Sequence, residues 1–448
     1  MFDVLPEKLK KLAEEAPFPL YVVGGACRDY LAGLDGGKID WDICSPVGAE
    51  QFVAVAENCG FTASAVYKNT GTVKLKADGE EYEFSCFRSD EYVRGVHSPV
   101  KIYFTDDMRL DARRRDFKCN AVYYEIAARK FRDPLGGIED IKYRRISTVA
   151  DAKKVFGEDG LRLMRLCRQA AQLGFRPDDE CLRGAWENRA LIRDISAERV
   201  WTELNNVLHA DKKYGVKYGQ YDGLELLKET GVLGEILPEI AAGDKMEQRS
   251  DFHDHDVLEH TLRCVKYADD SVRLAALLHD IGKPYCKLKT GKFAKHETEG
   301  ARIAASVCAR LKVPKKLAEK AVTLTALHMY DLNCAARESK VRKFIVKHYS
   351  VYDELMLLKQ ADYSACRDDV GKAPCVEKWE GIRAKMKREG VPFSVAELNV
   401  RGNELAEAGV EPRMISRTLD YLLSECAADA RLNTKERLLK LAAAFNRG

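Results

Sequence analysis

The stretch from Pro19 to Ile43, PLYVVGGACRDYLAGLDGGKIDWDI, constrains this chain more than any other. Its apolar run Leu20 to Val23 predicts a buried strand and Gly24 with Gly25 a tight turn; a short helix and a second strand carrying Asp40 and Asp42 follow. Side chains alternate faces along a strand, so Asp40 and Asp42 share one face while Ile39, Trp41 and Ile43 turn into apolar packing. Two neighbouring carboxylates repel each other until a cation sits between them. Hard oxygen ligands suit Mg²⁺, which keeps several waters and takes phosphate oxygens as its other ligands. Without a Cβ, the paired glycines let backbone N–H groups close on a phosphate. A D-x-D alone is common on solvated strand ends. The upstream turn Gly24-Gly25-x-x-Arg28-Asp29 makes this one read as a nucleotidyl transfer site. Glu83, in the run Glu81-Tyr82-Glu83-Phe84, offers either a third carboxylate or a charge on the wet face of an edge strand.

The chain has 448 residues, room for about three domains. A formal net charge of +3 excludes a globally basic nucleic-acid binder, so any basic surface is local. Charges stand in MFDVLPEKLKKLAEEA where a signal peptide needs an apolar run, and no stretch approaches the ~18 apolar residues of a membrane span. A cytoplasmic protein with no membrane partner is expected. The 14 cysteines include no C-x-x-C pair and are expected to be reduced thiols.

An α/β portion is expected to about residue 150: a helix over 50–60, strands over 62–67, 72–77 and 80–87, and a loop-rich segment over 88–110. From 151 onward strand signals almost vanish. Helices are predicted over 158–173, 178–189, 196–210 and 222–230, and the last stretch, 366–448, also reads as helical.

Within the run Asp111-x-x-Arg114-Arg115-Asp116-Phe117-x-x-Asn120, the arginines suit phosphate, because guanidinium groups pair bidentately with its oxygens and offset charge built up in phosphoryl transfer. A solvated charge cluster is the plainer alternative. Glu158, Arg162 and Arg165 fall at i, i+4 and i+7, on one face of the predicted helix, with Asp159 beside them. By spacing alone this is a surface ion-pair ladder. Chemically, an acidic acceptor beside an Arg donor matches the amine-and-ring-nitrogen edge shared by cytosine and adenine, and rejects uracil and guanine.

PLYVVGGACRD, DWDI, EFSCFR, DARRRDFKCNAVYY, DPLGGIEDI and EDGLRLMRLCRQAAQLGF, in this order, closely resemble the bacterial class II tRNA nucleotidyltransferases (CCA-adding enzymes) and the related bacterial poly(A) polymerases. The resemblance implies a polymerase-beta-like nucleotidyltransferase head with a mixed sheet, followed by all-α neck, HD and tail domains. The expected divisions are 1–150, 151–245, 246–365 and 366–448. It implies Mg²⁺ on Asp40 and Asp42, triphosphate contacts from Gly24, Gly25, Arg28 and Asp29, and ribose or phosphate contacts from Asp111, Arg114 and Arg115, with Asn120 in the same nucleotide site. Glu158, Asp159, Arg162 and Arg165 would select the base. CTP, ATP and tRNA are the implied partners. Where the family often has a compact Gly-Arg-His/Arg-Pro element, this chain reads Arg94-Gly95-Val96-His97-Ser98-Pro99, which leaves CCA addition, partial CC or A addition and poly(A) synthesis as alternatives.

His260, the pair His279-Asp280 in LLHDIGKP, and Asp362 resemble the HD-domain phosphohydrolase signature and are expected to hold a metal. Imidazoles with carboxylates suit Mn, Ni, Zn or Fe better than Mg. A mainly HD-type phosphodiesterase or phosphatase is therefore a further alternative. His296 and His328, each taken singly, read as structural; His253 and His255 carry no assignment.

Overall fold

In the computed structural model, residues 2, 4–93, 96–248 and 254–446 are described. Arg94, Gly95 and His253 lie outside them. The chain forms two compact units, one of residues 1–241 with 310–312, the other of 242–309 with 313–448. All 14 cysteines are free thiols. No helix among the described residues is long and apolar enough to cross a membrane.

The first unit is built on a seven-stranded sheet. Its strands are β1 (Tyr21–Val23), β2 (Trp41–Ser45), β3 (Thr62–Tyr67), β4 (Thr72–Ala77) and β5 (Glu80–Cys86). A separate hairpin of β6 (Arg88–Glu91) and β7 (Lys101–Phe104) intervenes before the sheet resumes with β8 (Tyr123–Glu125) and β9 (Lys130–Arg132). The order is β3-β4-β5-β2-β1-β8-β9. Every neighbouring pair is antiparallel except β2 with β5, which run parallel and set Asp42 opposite Glu83. Alternation explains the faces: Val73, Leu75 and Ala77 of β4, and Tyr82, Phe84 and Cys86 of β5, are buried. Phe84 stacks on Phe52 of the helix Ala49–Asn58, with ring centroids 3.6 Å apart.

The structure departs from expectation in two places. The segment 88–110 is not mainly loop: β6 and β7 pair in it, Arg88 opposite Phe104 and Glu91 opposite Lys101. RSDE and KIYF lack apolar alternation, the signal a strand needs to be seen in sequence. The helix expected over 158–173 is two helices, Ala152–Glu158 and Leu161–Leu173. Between them Asp159 is extended, and Gly160 packs where a Cβ would meet the Leu191 carbonyl oxygen at 2.7 Å.

The second unit contains no strand among its described residues. Helices Val257–Tyr267 and Tyr352–Arg367 carry His260 and Asp362; His279 and Asp280 follow the helix Arg273–Leu278. His296 opens the helix His296–Arg310, and His328 closes Lys315–Leu327.

Candidate active site and metal cluster

Gly24 turns β1 into the helix Gly25–Ala32 at a φ of +82°, a region open to glycine at little cost. A Cβ there would also lie 3.0 Å from Asp42 Oδ2, so the glycine lets the turn and the carboxylate sit side by side. The backbone N–H groups at the start of this helix form an anion-facing end.

Asp42 is half-buried, and that burial pushes its carboxyl up to about 6; Arg115 and Arg114 oppose the shift while Glu83 and Asp40 add to it. A half-buried carboxylate with two acidic neighbours and two arginines is a site that gains from a divalent cation, and three oxygen-bearing side chains fit Mg²⁺. The parallel register thus brings Glu83 beside Asp42, a pairing that its own sequence neighbourhood could not decide. Asp40 is exposed, just ahead of β2.

Gly24, Asp40 and Asp42, but not Glu83, open on a cavity of about 1000 Å³ that also exposes Gly25, Arg28, Asp29, Arg115, Asn120, Asp159, Arg162 and Arg165. Asp111, Arg114 and Glu158 are not among its lining residues. Asp111 is fully buried and accepts from Arg114 Nε at 2.7 Å, Arg115 Nη2 at 3.4 Å and the Tyr123 hydroxyl at 2.7 Å. Burial alone would raise its carboxyl, but Arg115 and Arg114 outweigh that and hold it below the usual range. Asp111 therefore aims the arginines from behind. Glu158 likewise backs Arg162, accepting from its Nη1 at 2.7 Å. Arg162 also donates to the Val155 and Arg114 carbonyl oxygens at 2.9 Å each, and its guanidinium lies 5.4 Å from the Tyr92 ring centre.

A polar network missed in the sequence ties the cavity floor together. Arg28 donates to Asp29 at 2.6 Å and to Asn120 Oδ1 at 2.7 Å, and Asn120 donates to Gln169 at 2.9 Å and to Asp116 at 3.0 Å. Arg165 clamps Asp116 with bonds of 2.9 and 2.6 Å, and Tyr214 donates to Asp29 at 2.6 Å. Tyr214 lies 185 residues from Asp29, a separation no local pattern bridges. His97 Nδ1 accepts from the Gly160 N–H at 3.1 Å, which seats its loop against the helix break beside Asp159.

In the second unit, His260 Nε2 lies 3.0 Å from Asp362 Oδ1, and His279 Nε2 is 3.3 Å from His260 Nε2 and 3.2 Å from Asp280 Oδ2. The four expected residues come together. His296 and His328 do as well, with their Nε2 atoms 3.2 and 3.6 Å from Asp280 Oδ1, so neither stands apart as a merely structural histidine. Lys283 Nζ pairs with Asp280 Oδ2 at 2.6 Å.

Sheet, glycine turn and acidic cluster define a nucleotidyltransferase head, here in one chain with an HD domain. Family profiles agree: a "Poly A polymerase head domain" matches residues 20–147, a "Probable RNA and SrmB- binding site of polymerase A" 174–243, and an "HD domain" 257–364. The A-adding tRNA nucleotidyltransferase of Deinococcus radiodurans is 29% identical over 369 residues, covering 78% of each chain. The Multifunctional CCA protein of Xanthomonas campestris pv. campestris (strain B100) is 30% identical over 327 residues, 69% of this chain and 75% of its own. The crystal structure of the Bacillus stearothermophilus CCA-adding enzyme in complex with CTP superposes with a TM-score of 0.68, over 99% of this chain and 98% of that one, at 22% identity. The chain belongs to the family of bacterial CCA-adding tRNA nucleotidyltransferases and poly(A) polymerases.

Proposed function

We propose that this chain adds the terminal CMP, CMP and AMP to the 3′ end of tRNA in the cytoplasm, taking them from CTP and ATP without a nucleic-acid template and releasing pyrophosphate. The observation that carries the reading is Asp42, half-buried in register with Glu83, against the Gly24 turn and facing a nucleotide-sized cavity. Asp40 and Asp42, with Glu83 near, would hold Mg²⁺. When bound, such ions lower the pKa of an attacking hydroxyl and offset charge on a leaving pyrophosphate. The chain's own residues position the substrates. The helix start at Gly25 and the Arg28 and Arg115 guanidiniums face the triphosphate; Asp29, Asn120 and Tyr214 hold Arg28 in place; Asp111 fixes Arg114 and Arg115. We assign the head to 1–150, a neck with the base-selecting residues to 151–245, the HD domain to 246–365 and an RNA-holding tail to 366–448.

Base choice falls to Asp159 and Arg162, which line the cavity, with Glu158 and Arg165 supporting. The full-length chain with Mg²⁺ and no RNA should bind CTP and ATP in preference to UTP and GTP, as measured by calorimetry. Equal binding of all four would remove the side-chain template. Arg162→Lys keeps the charge but loses the planar fork held by Glu158, Val155 and Arg114. A well-placed bidentate contact discriminates by ~1–3 kcal/mol, so preference for CTP over UTP should fall by roughly 10- to 100-fold in single-turnover competition. Unchanged selectivity would take Arg162 out of this role.

For the second unit we propose a first-row transition metal (Mn, Ni, Zn or Fe) held by His260, His279, Asp280 and Asp362, in support of a phosphohydrolase activity alongside nucleotide addition. The convergence of these four buried side chains favours this second reading.

A further inference from the structure

We infer that a basic groove formed by Arg144, Arg145 and Arg176 holds the phosphate backbone of the RNA beyond the nucleotide cavity. The inference rests on the reading of the chain as an enzyme acting on an RNA 3′ end, and extends it to a surface that shares no lining residue with that cavity. Leu161, Arg162, Arg165, Arg168, Gln172 and Leu173 put one face of the helix Leu161–Leu173 along the nucleotide cavity. At 1.5 Å per residue that face runs for about 18 Å. Gly174 ends the helix in the left-handed region at a φ of +64°. It also lines a second cavity, of about 420 Å³, together with Tyr143, Arg144, Arg145, Arg176 and Asp178.

Topology brings the arginines together. The short strands β10 (Arg145–Ile146) and β11 (Arg176–Pro177) pair in parallel with Arg145 opposite Arg176, and the Arg176 N–H donates to the Arg144 carbonyl oxygen at 2.9 Å. Arg145 is tied to the buried Asp140 at 2.6 Å. Arg144 and Arg176 are exposed and make no ion pair among the described residues. The carboxylate in the lining, Asp178, is already engaged: it caps the helix Asp179–Asn188 and accepts from the Cys181 N–H at 2.8 Å. Tyr143, 61% exposed, adds a hydroxyl donor at the rim. On the other side of Gly174, Lys213 lines the nucleotide cavity, again with no ion pair among the described residues, and Val216 lies 3.6 Å from where a Cβ on Gly174 would stand. Uncompensated cations thus flank Gly174 both toward the nucleotide cavity and away from it. Such a row suits a chain of phosphates, which guanidinium groups bind with two parallel bonds each. The backbone of Arg144 points the same way. Just past the helix Gly137–Lys142 it adopts a φ of +51°, with its N–H donating to the Ile141 carbonyl oxygen at 3.1 Å. Glycine is the usual residue at such a helix end. An arginine there carries backbone strain that merely ending the helix does not require.

The test uses the full-length chain with Mg²⁺ and a tRNA transcript lacking its last three residues, with affinity measured across a series of salt concentrations. Arg144→Gln/Arg176→Gln should weaken binding roughly 10- to 100-fold and flatten the slope of log affinity against log salt by about 2, near one for each lost phosphate contact. CTP binding and the addition rate at saturating tRNA should stay at wild-type values. Arg144→Gly should raise the melting temperature by relieving the left-handed strain and yet weaken tRNA binding, a combination that loss of structure cannot produce. Lys10→Gln/Lys11→Gln, on the helix Glu7–Glu15, measures the effect of removing two charges elsewhere. Unchanged affinity and slope in the arginine double variant, or an equal loss in the lysine pair, would overturn the groove while leaving nucleotide addition in place. Loss of CTP binding instead of tRNA binding would also overturn it, making the arginines nucleotide contacts. A wild-type chain that neither binds nor extends the transcript would overturn the RNA reading on which the groove rests.

Discussion

Asp42→Asn is expected to reduce nucleotide incorporation by at least ~10³-fold while leaving the fold intact, since losing several kcal/mol of transition-state stabilisation costs a factor of ten per 1.36 kcal/mol. The same change should stabilise the protein in Mg²⁺-free buffer. Burial raises the Asp42 carboxyl to about 6 from its ordinary 3.8. A folded-state pKa above the unfolded value means that the charged form opposes folding. The cost is fully present above about pH 6 and vanishes below about pH 4, where both states are protonated. Its size is roughly 1–3 kcal/mol. The melting temperature of Asp42→Asn should therefore exceed that of the wild type at pH 7 without metal, and Mg²⁺ should narrow the gap by stabilising only the wild type. Full activity in Asp42→Asn would mean that the cation site lies elsewhere. A lower melting temperature would mean that Asp42 is a structural anchor.

Asp116→Ala should destabilise the first unit by about 3–5 kcal/mol, because it leaves a partly buried Arg165 and a buried Asn120 without their acceptor. Asp116 Oδ2 takes both Arg165 bonds, and Oδ1 accepts from Asn120 Nδ2 and from the Phe117 N–H at 2.8 Å. Burial opposes its ionisation, but Arg165 and the Asn120 bond prevail and hold the carboxyl far below the usual range. The sign follows. A depressed folded-state pKa gives stability that is complete above the unfolded value of about 3.9 and lost only as pH falls through the folded one, so the wild-type advantage should be flat from pH 5 to 8. Because Asn120 also holds Arg28, the substitution should raise KM for the nucleotide as well. Denaturant unfolding with the linear slope unchanged checks the first effect, and nucleotide titration the second. A loss below about 1 kcal/mol would show that the network is solvated and adds little.

Period-two alternation and a paired glycine were enough to read Asp40, Asp42 and the turn from sequence, because those signals are local. Glu83 was legible only as an alternative: its place beside Asp42 depends on a parallel pairing across some forty residues, and register across such a gap leaves no mark on either strand. The helix over 158–173 was overextended because 3.6-residue periodicity continues through Gly160, while the break is dictated by the backbone at Leu191. The Glu158–Arg162 contact survives that break, so spacing led to the right partner through a different local geometry. Asp111 shows the reverse: its motif was visible, but a carboxylate on the cavity and one fully buried behind two arginines look alike in sequence. His296 and His328, each taken singly, look structural for the same reason, since only the fold aims both at Asp280.

The most direct measurement is product sizing. A tRNA transcript lacking its last three residues is incubated with the full-length chain, Mg²⁺, CTP and ATP, and the RNA is resolved at single-nucleotide length. The account predicts growth by C, C and A that then stops, with no extension when UTP and GTP replace CTP and ATP. Failure to extend the transcript, or unlimited addition of a single nucleotide, would contradict it.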